Sequence, residues 1–283
     1  MKNIYSAIFL FVAIFFINTK SFSQISLTGS VYTQDFNTLA NTGTSSTVPT
    51  GWLFSEAGTN ANTTYTAGSG TGTAGDTYSW GTGTNADRAF GGLLSGSLTP
   101  TIGASFTNNT GSTVTSLTIS YTGEQWRLGA TARIDQLDFQ YSLDATSLTT
   151  GTWTDVNSLD FVAPVQSGVV GALDGNAAPN RTIISFTIPG LSIANGTTFY
   201  IRWNDFNAAG SDDGLGVDDF SISTGTGVSA SLSLSSGGNA SEPSTNGSFT
   251  ATFSPATTSS TTFNYNFTGT ATFSADYSVS DDS

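Results

Sequence analysis

Residues 137–143 read Leu137-Asp138-Phe139-Gln140-Tyr141-Ser142-Leu143. Apolar and polar side chains alternate without a break, which is the period of a strand with one buried face. The pattern recurs on both sides. Leu117, Ile119 and Tyr121 alternate with Ser116, Thr118 and Ser120, and Phe199, Ile201 and Trp203 alternate with Tyr200, Arg202 and Asn204. Turn-forming clusters separate these runs: Asn108-Asn109-Thr110-Gly111, Asp174-Gly175-Asn176, Pro189-Gly190 and Ala194-Asn195-Gly196. No amphipathic helical period follows the first 23 residues. Many short strands without helices predict an all-β fold, a jelly-roll β-sandwich over residues 24–223.

Composition narrows the chemistry. The 283 residues contain no Cys and no His. Lys2 and Lys20 lie in the first twenty residues, leaving Arg88, Arg127, Arg133, Arg181 and Arg202. Without imidazole or thiol there is no Ser-His-Asp triad, no Cys nucleophile, no disulfide and no Cys/His zinc site. Without further Lys there is no Schiff base or phosphate loop. The seventeen Asp and three Glu leave oxygen chemistry. Aromatic residues at 12 % argue against disorder despite the Ser, Thr, Gly and Asn content.

The N-terminus carries Lys2, then the apolar run Ala7–Ile17, then Ser21-Phe22-Ser23 before Gln24. This is the pattern of a secretory signal peptide over residues 1–23, and the apolar run is shorter than the ~20 residues of a membrane span. The expected mature chain has five Arg against twenty acids, a formal net charge of −15. It would be repelled by nucleic acid and anionic membranes. A secreted or cell-surface location follows, and secretion without Cys suits a bacterial exported protein.

All five Trp (Trp52, Trp80, Trp126, Trp153 and Trp203) precede a Thr224-Gly225-Thr226-Gly227 linker. Beyond it Leu232/Leu234, Phe249/Ala251/Phe253 and Phe263/Tyr265/Phe267 alternate without Trp or Arg. Residues 228–283 are few for a self-sufficient sandwich, so a longer chain with further modules beyond Ser283 is expected.

The second segment resembles the first half of a Calx-beta repeat. Glu242, the strand Thr262–Phe267, Gly269-Thr270-Ala271 and Asp276-Tyr277 carry the resemblance. It implies a partial immunoglobulin-like β-sandwich, with Glu242 and Asp276 as Ca²⁺ ligands and Asp281 and Asp282 as weaker ones. Tandem repeats of this family on bacterial surface proteins imply an adhesion or spacer role. Asp276 as a simple turn cap remains an equal alternative.

In the first segment the densest acids are Asp205, Asp212, Asp213, Asp218 and Asp219, interleaved with Asn204 and Asn207. Hard cations take six to eight oxygen ligands, and packed like charges repel unless neutralised. Ca²⁺ is the metal this pattern favours, against the alternative of a solvated acidic loop. Gly214–Ile222 resembles the closing strand of secreted jelly-roll, lectin-like and carbohydrate-binding modules, and Tyr32–Asn37 resembles their opening strand. The resemblance implies that the two strands pair and that Asp35 lies near Asp218 or Asp219. The adjacent acids Asp218-Asp219 break period two, so one of them should face inward or sit at a bulge.

Candidate ligand-binding residues are Glu124, Trp126 and Arg127, with Trp126 stacking on a sugar face, and Trp80 in the Tyr65–Gly83 segment, which is read as a long binding loop. The alternative is a core Trp126 with Arg127 paired to an acid such as Asp138. Glu124 with an Asp would make a glycosidase pair, a weak signal in so acidic a chain. The expected function is therefore a non-catalytic, secreted, modular surface or adhesion protein. It would bind polysaccharide or a surface glycan, with structural Ca²⁺. The alternative is the accessory binding region of a secreted hydrolase or nuclease whose catalytic domain lies beyond residue 283.

Overall fold

The computed structural model describes residues 23–226, 229–234 and 249–254. The segment expected as a signal peptide up to residue 22, and the expected ligands Glu242, Asp276, Asp281 and Asp282, lie outside them. The chain divides into two units, Met1–Gly227 and Val228–Ser283.

The first unit carries β1 (Ile25–Leu27), β2 (Tyr32–Gln34), β3 (Thr44–Ser45), β4 (Trp52–Ala57), β5 (Tyr65–Gly68), β6 (Asp76–Trp80), β7 (Ala89–Leu93) and β8 (Thr99–Asn108). It continues with β9 (Val114–Leu128), β10 (Gln136–Ser142), β11 (Thr154–Asp155), β12 (Phe161–Val162), β13 (Gly171–Ala172), β14 (Arg181–Ile188), β15 (Thr198–Asp205) and β16 (Gly214–Thr226). Two short 3₁₀ turns, Asn157–Leu159 and Ala178–Asn180, are the helical segments among the described residues.

These strands form two sheets. Sheet A runs β1-β8-β15-β10-β11, with β4 also on β8 and β12 also on β10. Sheet B runs β13-β9-β16-β7-β6-β5-β3, with β14 also on β9 and β2 also on β16. The long strands β8, β9, β10, β14, β15 and β16 alternate between A and B, the wrapping of a jelly roll. Alternation then does the sorting. Phe139, Trp203, Ile201, Ile102 and Trp52 from sheet A meet Ile119, Tyr121, Val217, Phe220 and Phe90 from sheet B in one buried core. Trp52 and Trp203 stack with centroids 6.1 Å apart, and Phe220 sets its edge against both rings.

The opening and closing strands pair: Gln34, Thr33 and Tyr32 lie opposite Phe220, Ser221 and Ile222. The doublet Asp218-Asp219 sits at a register shift between Asp218 and Ser221, with Asp219 at φ 48°. The bulge lets Val217 and Phe220 both face the core, buries Asp218 on the opposite face of the sheet and leaves Asp219 exposed.

Two readings change. The segment expected as a long binding loop is mostly sheet: β5 and β6 pair in parallel, leaving only residues 69–75 between them. Its Gly and Thr residues hid the strands because Gly weakens the alternation signal. The proposed linker is also strand in part, since Thr224, Gly225 and Thr226 pair with Leu117, Ser116 and Val114. In the second unit, β17 (Ser229–Leu234) and β18 (Phe249–Ser254) form an antiparallel pair with Leu232 opposite Ala251.

Candidate functional site

The acids that crowd the sequence between Asp205 and Asp219 separate in space. Asp205 ends β15 on the side that also carries Phe199, Ile201 and Trp203 into the core. Asp212 and Asp213 precede β16, and Asp135 precedes β10, so these strand ends gather four buried carboxylates at one end of the sandwich.

Three of the four are tied down. Asp135 accepts from the backbone N–H of Asp213 at 2.6 Å and of Gln136 at 2.9 Å. Asp213 accepts from the N–H of Gly129 at 2.7 Å and from Gln125 Nε2 at 2.8 Å. Asp212 accepts from the N–H of Ala208 at 2.8 Å. Arg133 bridges Asp135 (2.8 Å) and Asp213 (3.1 Å), and also donates to the carbonyl of Ser211. Asp205 differs: it is 6 % exposed, and among the described residues neither of its carboxylate oxygens makes a hydrogen bond of normal geometry, the backbone N–H of Leu94 being the one donor that eases its burial. Burial, then repulsion from Asp135 and Asp212, holds its pKa well above the ordinary carboxylate range. Burial also raises Asp212 and Asp213 to about 6, with Asp135 adding repulsion and Arg133 opposing it.

No group of three or more carboxylates among the described residues is arranged as a ready-made metal cage. Asp135, Asp212 and Asp213 all repel the Asp205 carboxylate, the backbone N–H of Leu94 partly offsets its burial, and the Arg133 guanidinium serves Asp135 and Asp213.

A second pair lies on the outer face of sheet B. Glu124 is opposite Gly216 and Asp218 opposite Thr122, so the two carboxylates are diagonal neighbours across β9 and β16. Both are buried. Trp126 donates its indole N–H to Glu124 Oε2 at 2.9 Å. Burial, partly offset by that bond, pushes Glu124 up to about 7. Burial, with Glu124 and Asp219 adding repulsion, pushes Asp218 up to about 8.

The aromatic candidates are not sugar platforms. Trp126 and Trp80 are each 1 % exposed and pack with Tyr78, Ala89 and Leu93. Trp80 lies across β16 and donates its N–H to the carbonyl of Leu215 at 2.9 Å, and a Cβ at Gly216 would stand 2.9 Å from the ring. The Asp174–Asn176 turn closes over Trp126, because any side chain at Gly175 would strike the indole. Arg127 is half-buried and donates to the carbonyl of Gly70 at 2.9 Å rather than to Asp138, which lies in the other sheet. Asp35 stays exposed and accepts from the N–H of Asn37 at 3.2 Å. It lies beside the Gln34–Phe220 pair but is exposed, as is Asp219, while Asp218 is buried. These three acids therefore make no common buried site.

Asp135 and Arg133 were missed in the sequence. Their signal is the isolated Arg133-Ile134-Asp135 just before β10, one of only five arginines past residue 20.

No family model matches the chain, and no curated protein matches it. Solved structures do. The K3 cleaved adhesin domain of Lys-gingipain from Porphyromonas gingivalis is 13 % identical, with a TM-score of 0.37, over 62 % of this chain and 93 % of that one. A carbohydrate-binding module, TmCBM61, in complex with β-1,4-galactotriose is 9 % identical, with a TM-score of 0.30, over 62 % and 88 %. The enzymatically active domain of bacteriophage CBA120 tailspike protein 4 is 7 % identical, with a TM-score of 0.33, over 62 % of this chain but only 19 % of that one.

Proposed function

We propose that the chain is a secreted, non-catalytic binding protein of a bacterial surface, stiffened by Ca²⁺ and directed at polysaccharide or a cell-surface glycan. The observation that carries the metal reading is Asp205, a buried carboxylate without a hydrogen bond of normal geometry among the described residues that Asp135, Asp212 and Asp213 all repel. Burying an unpaired charge is costly, so the group must either keep a proton or meet a cation. Arg133 is engaged elsewhere. Asp205 and Asp212 are the acids that would hold Ca²⁺, Asp135 being already paired with Arg133; the ion would neutralise them and lock the strand ends together.

The non-catalytic reading rests on access. Glu124 and Asp218 are the pair a glycosidase would need, but they are only 1 % and 4 % exposed, so neither reaches a substrate in solvent. The N-terminal signal pattern supports secretion, and the second unit would serve as a Calx-beta-type spacer. Among the described residues no helix is long and apolar enough to cross a membrane.

The test is a melting curve of the full chain in millimolar CaCl₂ and in chelator, with native mass spectrometry. A saturable rise in Tm and a bound ion are expected. No shift and no metal would overturn the calcium reading, and release of sugar from any bound glycan would overturn the non-catalytic one.

A further inference from the structure

The outward face of sheet A carries an ordered polar surface that none of the sequence candidates touched. Pairing across the sheet lines up Gly103, Arg202, Gln140 and Asp155 in one row. The next row holds Thr101, Asn204 and Asp138. With strands about 4.8 Å apart, each row runs for roughly 10–15 Å. Apart from Gly103, these residues are half-buried or exposed.

The groups hold one another in place. Gln140 Oε1 accepts from Arg202 Nε at 2.7 Å and from Asn204 Nδ2 at 2.8 Å. Thr101 donates to Asn204 Oδ1 at 3.0 Å, and Gln140 donates in turn to Asp155. Gln136 donates to Asp138. Arg202 also donates to the carbonyl of Leu148 at 2.6 Å, and its guanidinium lies 3.9 Å from the ring centroid of Trp153. Trp153 is half-buried, and its loop walls one end of the face by packing against the cluster of Ala145, Leu148 and Tyr200. Among the described residues, Arg202 Nη2 and one oxygen of Asp138 have no hydrogen-bond partner in the protein, so both a donor and an acceptor remain for a ligand.

We infer that this face binds a neutral oligosaccharide chain, an assignment that rests on the binding function proposed above. Sugar hydroxyls both donate and accept, which suits a mixed surface of guanidinium, amide and carboxylate. A fixed network costs little ordering on binding, and Trp153 supplies an apolar edge for a ring face. Charge selects against anionic chains: two carboxylates stand beside one guanidinium, on a chain of net charge −13.

The experiment is affinity electrophoresis and calorimetry of the full chain against soluble xylan, β-galactan, mannan and mixed-linkage β-glucan, with polygalacturonate as the anionic comparator. The wild type should bind at least one neutral glycan. Asp138→Ala and Arg202→Ala should each weaken it about tenfold or more. Asp138 bonds only Gln136, so its variant should keep the wild-type Tm and report binding alone. Ile183→Ser, an exposed change on sheet B, should leave binding unchanged. Wild-type affinity in both Asp138→Ala and Arg202→Ala would overturn this site while leaving the general function standing. Binding of polygalacturonate alone would overturn the neutral class. Binding of no glycan would overturn the function itself.

Discussion

Asp205 stands where the next inward residue of β15 should be apolar. Phe199, Ile201 and Trp203 enter the core, and the same alternation carries a carboxylate in behind them. Leaving a buried polar group unsatisfied costs about 1–3 kcal/mol. Asp205→Asn, whose amide adds two donors toward the neighbouring carboxylates, should raise the stability of the chelated protein by ~2 kcal/mol at pH 7.5. That corresponds to roughly 5 °C in Tm. The same substitution should abolish the Ca²⁺-dependent rise, so the variant would lead in chelator and trail in calcium. Thermal scans of both proteins in both buffers check this, and a wild-type-sized calcium shift in Asp205→Asn would remove Asp205 from the site. Asp205 was legible as a member of an acidic run. Its isolation from Asp218 was not, because the bulge and the loop that separate them depend on contacts distant in sequence. Trp126 and Trp80 failed for a related reason. A Trp on the outward side of a strand looks available until the chain folds a turn such as Asp174–Asn176 over it.

The β9–β16 pair carries a pH dependence at the scale of elements. Glu124 rises from its ordinary 4.5 to about 7, and Asp218 from 3.8 to about 8. Asp87, Asp219 and Arg181 are the other charged groups acting on them. Both folded-state values lie above the unfolded ones, so the native chain holds the extra protons. Their contribution is fully present below about pH 4 and is lost as pH rises through 7 and 8, at up to ~1.4 kcal/mol per pH unit for each group. The Tm of the chelated protein should therefore fall between pH 5 and pH 8.5. Glu124→Gln with Asp218→Asn should flatten that fall, and an equally steep fall in the double variant would assign it elsewhere. The elements themselves were unevenly legible. Strand β10, the first half of β9 and most of β15 could be read because apolar core residues alternate there with polar residues that are less buried. Strand β14 was hidden because its residues are exposed on both sides almost to its end, with Ile183 among them. Strand β7, Ala-Phe-Gly-Gly-Leu, was hidden because it is buried on both.

The whole molecule is strongly acidic, and two kinds of cation effect must be separated at that scale. Self-repulsion opposes the compact state, so any salt should stabilise the fold by screening. Screening tightens gradually, with a Debye length near 10 Å at 0.1 M and near 3 Å at 1 M, and it does not saturate at low concentration. A specific site behaves otherwise: stability rises as RT ln(1 + [L]/Kd), which reaches ~2.7 kcal/mol at a hundredfold excess over Kd. Sodium chloride should therefore raise Tm steadily across the molar range. Calcium chloride should raise it within the millimolar range, on top of a fixed sodium chloride background. If the calcium increment vanishes once ionic strength is held at 0.5 M (Debye length about 4–5 Å), the acids at the end of the sandwich act only as diffuse charge. Glycan binding on sheet A offers an independent contrast. A neutral ligand releases no counterions, so its affinity should stay constant over the same salt range. A steep loss of affinity with sodium chloride would point to an anionic ligand instead.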